Sequence, residues 1–254
     1  MAGPRAFVFR NRRWLIAAVF VIGFGVYSLD RTSVAAALAA VLSSHAGGNW
    51  HFWMHALVGL AAALVAVGSF WRTWGSAYLG ADVVFDRQLH AERLLADGPY
   101  RFTRNPLYFG NLLFTMGLGF VVSPVGWPVL VIGMWVLVKL LIRDEEAGLV
   151  AAQGDSYRAY LAAVPRLFPS FRPLVPPAGA RPRWLQGICG EAMIWAVACV
   201  TVGFAITLNP AWYQQRMLWA VAIALPPVVW ARRRRSGTAA PAAASPTAPP
   251  ASGH

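Results

Sequence analysis

Apolar residues arrive along this chain in long blocks separated by short arginine-bearing stretches, and the block lengths predict membrane-spanning helices. Phe52 to Phe70 and Ile188 to Leu208 run close to the roughly 20 residues that carry a helix across about 30 Å of hydrocarbon. Trp14 to Leu29 follows Arg12 and Arg13, and Met217 to Trp230 runs into Arg232 to Arg235. Tyr108 to Val122 and Val125 to Ile142, parted only by Ser123 and Pro124, read as a tight helical hairpin. The pattern therefore predicts an all-α, polytopic transmembrane helical bundle of about six spans joined by polar loops. Val34 to Leu42, too short to cross a bilayer, reads as an outward-facing interfacial or re-entrant helix.

The divisions follow from the same pattern: residues 1–70 hold spans one and two; 71–183 hold a core with spans three and four and two mixed polar segments; 184–235 hold two further C-terminal spans. Within the core, Trp71 to Asn105 contains charges, aromatics and the turn signal Asp97, Gly98, Pro99, and Arg143 to Arg183 begins helical and ends as a Pro- and Arg-rich linker. Residues 236–254 are almost entirely Ala, Pro, Ser, Thr and Gly, a composition with nothing to bury, and are expected to be disordered. Met1 to Leu29 lacks a small-residue cleavage site followed by a soluble domain, so it reads as an uncleaved first span.

At 57% hydrophobic and 13% charged, the chain is too apolar for an ordinary soluble domain. Its 22 Lys and Arg exceed its 10 Asp and Glu, a net charge of +12, and the placement of the excess sets orientation. Arginines crowd before the first span, between spans two and three, after span four and after span six, whereas the opposite loops carry only Arg31 and Arg216. By the positive-inside rule both termini and both polar segments face the cytoplasm, in what reads as a bacterial inner membrane. Arginine beside spans suits anionic membrane lipids, and no nucleic-acid partner is implied. Cys189 and Cys199 share the fifth span and are not placed for a disulfide. The histidines are scattered; His51 and His55 stand at i, i+4 spacing but lack a third ligand, so no metal is expected.

Two strings carry candidate chemistry. The first is Gly98 to Asn111, GPYRFTRNPLYFGN. Asn105 is a favoured N-cap and Pro106 a favoured first helical residue, so a helix should start there with its positive end toward the cytoplasm. Arg101 and Arg104 just upstream make that end a seat for a carboxylate or phosphate, although any span entering from the cytoplasm has much the same look. The second string is Arg143 to Leu149, RDEEAGL. At about 100° per residue, Glu145 projects with Val138, Leu141, Ile142 and Leu149 toward packing, where a carboxylate must be paired, solvated or protonated. Glu146 lies at the edge of that arc and is placed to pair with Arg143. On spacing alone, Asp144 to Glu146 also fits a solvated helix turn.

Taken in order, the two strings resemble the isoprenylcysteine carboxyl methyltransferase and related phospholipid methyltransferase families. The likeness runs through the G-P-Y-R-x-x-R-x-P-x-Y-x-G pattern at Gly98 to Gly110. After the hairpin it continues with Glu145, Glu146, Leu149, Gly154, Tyr157, Tyr160, Pro165 and Arg166, covering about Leu94 to Pro169. The resemblance implies an integral membrane enzyme that moves a methyl group from S-adenosylmethionine to a lipid-like or prenylated acceptor, with carboxylate O-methylation favoured. It implies a cofactor pocket at Arg93, Leu94, Leu95, Tyr100, Asn105, Pro106, Leu107, Tyr108 and Glu145, with Arg143 and Glu146 nearer the acceptor as catalytic candidates. Charge agrees with this: the cofactor's ammonium and sulfonium want a carboxylate or an aromatic ring, and its carboxylate wants a helix N-terminus or Arg.

Asn105 stands where prenylcysteine-modifying members carry His. An amide hydrogen-bonds but does not titrate near neutrality, so general-base use of this position is disfavoured and the acceptor is left open. The alternatives are a lipid amine or a small thiol as acceptor, or, in another class, a non-catalytic scaffold or transporter built on the same helices.

Overall fold

The computed structural model describes residues 11–79 and 96–237. Among these the chain is helical and has no strand. The helices are α1 (Arg12–Gly25), α2 (Tyr27–Asp30), α3 (Val34–His45), α4 (Trp50–Tyr78), α5 (Pro106–Gly119), α6 (Gly133–Gln153), α7 (Asp155–Ala163), α8 (Trp184–Gly190), α9 (Ala192–Thr207) and α10 (Pro210–Gly237). A single 3₁₀ turn, Gly98–Arg101, precedes α5, and a π-helical turn, Pro128–Ile132, leads into α6.

Helix length and composition alone account for part of the six-span expectation. Among the described residues only α4, at 29 residues, is long and apolar enough by itself to cross a membrane. Trp14–Asp30 with Val34–His45, bent by 52°, and Trp184–Gly190 with Ala192–Thr207, bent by 67°, raise the number to three if each bent pair is one span. The predicted hairpin is present as α5 and α6, but the 14 residues of α5 reach only about 21 Å at 1.5 Å per residue. The apolar part of α6 is cut short by its charged second half, and α10 holds Pro226 and Pro227 in its interior.

Helices α4 and α5 form the centre, packed through glycines. A Cβ on Gly68 would stand 2.6 Å from the Phe114 nitrogen, one on Gly110 2.7 Å from the Gly68 carbonyl, and one on Gly117 2.6 Å from the Ala61 carbonyl. The backbones thus touch, as small residues permit between membrane helices. Around this seam Val65, Phe114, Leu118, Val122, Leu130 and Ala198 make one buried cluster. Leu112, Met134, Val138, Ile142 and Leu167 make a second, between α5, α6 and the chain after α7.

The Val34 segment is drawn further into the fold than an interfacial helix would be. Ser33 caps α3 by accepting from the Ala36 N–H at 3.1 Å. The Val34 and Ala35 N–H groups donate to the Val122 and Phe120 carbonyls at the end of α5, and Ala35 and Ala39 are fully buried. Each helix end satisfies the other's orphan groups.

The Pro-rich stretch after α7 departs from its reading as a linker. Buried Asp97 accepts from the N–H groups of Ala178 (2.8 Å), Gly179 (3.2 Å) and Ala180 (2.8 Å). Arg101 Nε donates to the Val175 carbonyl at 2.8 Å, and the Arg183 N–H donates to the Ala77 carbonyl. Proline removes donors from this stretch, and the polar groups that remain are taken up by the Gly98–Arg101 turn and the end of α4. The expected disordered tail, but for its first two residues, lies outside the described residues.

Candidate active site

Helix α5 starts at Pro106, where the Asn105-Pro106 pair predicted it. Asn105, however, does not cap it with its side chain. Its Nδ2 donates to the Arg166 carbonyl at 2.8 Å and to Glu146 Oε1 at 3.3 Å. The residue sits at the cap position while its amide ties the start of α5 to the end of α6 and to the chain after α7. The Asn105 side chain therefore leaves the first-turn N–H groups of α5 uncapped, the kind of helix start that can receive an anion.

The two motif strings meet through a pair of carboxylates. Tyr108 donates its hydroxyl to Glu145 Oε1 at 3.0 Å. Glu146 is buried, with Arg166 Nε 2.9 Å from one oxygen and Arg104 Nη1 3.4 Å from the other. This corrects the helical-wheel expectation. The buried face of α6 continues from Met134, Val138 and Ile142 to Glu146, not to Glu145, and Leu149 is exposed. Glu146 takes the inward position because Arg104 and Arg166 wait there; without them a buried carboxylate would be strongly disfavoured. Arg143 is exposed on α6, and Glu146 pairs across the fold with Arg104 and Arg166 in its place.

Tyrosines form the wall next to these charges. Tyr160 donates to the Tyr100 carbonyl at 2.7 Å, and its ring lies 5.8 Å from that of Tyr157. Burial pushes the Tyr100 and Tyr160 phenols well above their ordinary value, neighbouring tyrosines adding to the effect. Burial, then the Glu146 charge, raises Tyr157 to about 12. All three therefore stay protonated near neutrality. The Tyr100 hydroxyl is buried without a partner among the described residues, as is Arg104 Nε, and buried polar groups in that condition call for an explanation. Leu107 and Pro106 pack over Gly75 of α4, whose added Cβ would meet Leu107 Cγ at 3.3 Å and Pro106 Cγ at 3.5 Å. Gly98 has φ +54°, and an added Cβ would collide with the Tyr78 ring, so only glycine serves at the head of the turn that carries Tyr100.

Tyr100, Asn105, Tyr108, Glu145 and Glu146 are thus brought together, Pro106 and Leu107 seat them, and Arg143 stays apart. Arg93, Leu94 and Leu95 lie outside the described residues. The sequence reading missed the share of Arg104 and Arg166 in holding Glu146; Arg104 stood in the first string and Arg166 in the continuation of the family pattern, and an inward carboxylate needing a cation was the available signal. It also missed Glu191, a lone acid in an apolar block. Among the described residues no group of three His, Cys, Asp or Glu side chains could hold a metal.

Two comparisons bear on this arrangement. Residues 56–153 match the family model of phospholipid methyltransferases. The chain is similar to a protein-S-isoprenylcysteine O-methyltransferase of Schizosaccharomyces pombe, 29% identical over 123 residues, which is 46% of this chain and 49% of that protein. The chain thus spans about half the length of the curated relative it matches. No solved structure matches it. The matched segment opens in α4 and closes at the end of α6, enclosing the glycine seam, the Asn105-Pro106 start and both carboxylates. Over that segment the chain is similar to phospholipid methyltransferases and to a protein-S-isoprenylcysteine O-methyltransferase.

Proposed function

We propose that this protein is a membrane methyltransferase that moves a methyl group from S-adenosylmethionine to a lipid-like acceptor, with a carboxylate oxygen as the favoured methylated atom. The observation that carries the reading is the Tyr108–Glu145 contact beside a helix start whose own side chain does not cap it. A carboxylate and an open helix N-terminus offer complementary seats to the ammonium and carboxylate of one amino-acid moiety. The unpartnered Tyr100 hydroxyl supplies a further buried donor, so the residues present fit this group.

S-adenosylmethionine supplies a sulfonium-bound methyl group, already activated for in-line displacement. The protein's task is then alignment and exclusion of water. Glu145, oriented by Tyr108, holds the cationic end; the first turn of α5, with Tyr100 behind it, holds the anionic end; Glu146 keeps Arg104 and Arg166 in place around them. Arg143 and the exposed edge of Arg166 border the side on which an acceptor's polar head would lie. Arginine placement supports a cytoplasmic position for both termini and both motif segments, so a water-soluble methyl donor would enter from the cytosol and an apolar acceptor from the bilayer. The six-span arrangement belongs to the same proposal, its shorter helices crossing as partners of their neighbours.

A lipid amine is the second reading, favoured by the phospholipid methyltransferase match and by Asn105, which does not act as a titrating base.

Replacing Glu145 by Gln tests the donor seat, because the amide keeps the shape and loses the charge. Loss of one charge-assisted contact is worth about 2 kcal/mol, roughly a thirtyfold rise in Kd. Calorimetry on detergent-solubilised protein should show that rise with an unchanged melting temperature. Wild-type protein that melts cooperatively and binds no S-adenosylmethionine would overturn the reading.

A further inference from the structure

A second charged cluster lies on the far side of the glycine seam. Arg72, near the end of α4, meets Glu191 in a two-pronged ion pair: Nε donates to Oε2 at 2.9 Å and Nη2 to Oε1 at 3.0 Å. Ser76 Oγ donates to the same Oε1 at 2.6 Å, and Arg72 Nη1 donates to Asn111 Oδ1 at 2.6 Å. The side chains of Arg72 and Glu191 are only 18% and 9% exposed. Buried ions in apolar surroundings carry a large desolvation penalty, and within membrane helices they mark function more often than stability.

The neighbours show what the pair joins. Glu191 stands at the 67° break between α8 and α9. Those helices are fitted closely to α4: a Cβ on Gly187 would come within 3.0 Å of the Thr73 carbonyl, and Trp195 Nε1 donates to Thr73 Oγ1 at 2.8 Å. On the other side, the Arg72 stem crosses α5 where Gly110 leaves room; an added Cβ there would be 2.7 Å from Arg72 Cγ. Asn111, which Arg72 grips, follows Tyr108 by three residues on α5, so both lie on neighbouring parts of one helix face. Arg72, Ser76 and Asn111 fall inside the family-matched segment, residues 56–153, and Glu191 falls outside it. The charges of Arg72, Glu191 and Glu145 all act on the buried Tyr100 phenol.

We infer that Arg72 and Glu191 are positioning residues of the methyl-donor site: clamped by Glu191, Arg72 sets the rotation of α5 through Asn111 and so aims Tyr108 at Glu145. The C-terminal helices are then part of the working enzyme and more than an anchor. This rests on the donor seat proposed above. A helix turned by a fraction of a residue carries Tyr108 off Glu145, and misplacement of about 1 Å can lower a rate about 100-fold.

Two variants separate positioning from stability. Arg72→Met with Glu191→Met replaces the pair by apolar side chains, a change that often preserves or raises stability, and Asn111→Leu keeps the pair but cuts its link to α5. Melting temperature, S-adenosylmethionine affinity by calorimetry, and the donor and acceptor KM are read for both variants and for wild type. Both variants should melt within a few degrees of wild type, with donor affinity weakened about 10- to 100-fold and the acceptor KM little changed. Donor affinity equal to wild type in either folded variant would overturn the inference and leave the donor seat standing. Folded wild type that binds no donor would overturn both. Should the Met pair fail to fold, Asn111→Leu decides alone.

Discussion

Glu146→Ala should destabilise the protein by about 3 kcal/mol, the lower part of the range for breaking a buried ion pair, because Arg166 is half exposed and recovers some hydration. Arg104, only 12% exposed and already with one unpartnered nitrogen, would lose its counter-charge. Asn105 Nδ2 would keep the Arg166 carbonyl alone. The melting temperature in detergent should fall by several degrees. Glu146→Gln should fall less, because the amide still accepts hydrogen bonds at one oxygen while losing the charge. Glu145→Ala should lower the melting temperature less than Glu146→Ala, since Glu145 is only partly buried and the change takes one acceptor from Tyr108. The opposite order, with Glu145→Ala the more destabilising change, would return the site to the geometry expected from the helical wheel.

The glycine seam predicts the other large effect. Gly68→Val places a branched side chain where even a Cβ would lie 2.6 Å from the Phe114 nitrogen and 2.7 Å from the Gly110 carbonyl. Both contacts are backbone, so no rotamer relieves them and the two helices must part. Overpacking of this kind costs about 1–3 kcal/mol when side chains can give, and backbone contacts push it to the top of that range or beyond. We expect loss of the cooperative melting transition or of expression in the membrane. Gly59→Ala is the matched control on the same helix: nothing lies within 4 Å of its added Cβ, and exchanging glycine for alanine in a helix interior should gain up to about 1 kcal/mol. Equal tolerance at the two positions would contradict the packing.

What the sequence made legible follows from which signals are local. The Asn105-Pro106 start was readable because cap and proline preferences act within one turn, and the apolar blocks were readable because hydrocarbon thickness sets a length scale. The order of the two motif strings supplied the meeting of α5 with α6. The side-chain choices were less legible. Rotation about α6 was read from apolar neighbours alone, which favoured Glu145; the deciding partners, Arg104 and Arg166, lie 42 residues before and 20 after Glu146 in the chain. A related limit hid the break in the fifth apolar block. The hydrophobic block Ile188 to Leu208 contains Glu191, which pairs with Arg72, far away in sequence, and stands where the apparent straight span parts into two helices meeting at 67°. The Pro-rich stretch looked like a linker because composition does not reveal that Asp97 collects three of its N–H groups.

The central claim, methyl transfer from S-adenosylmethionine to a lipid-like acceptor, is tested most directly by incubating purified protein with methyl-labelled S-adenosylmethionine and a membrane extract. The products are then partitioned between organic and aqueous phases. Label is expected in the organic phase, dependent on wild-type protein and strongly reduced by Glu145→Gln. Label confined to a small water-soluble or volatile product, or no transfer by protein that binds the donor, would contradict it.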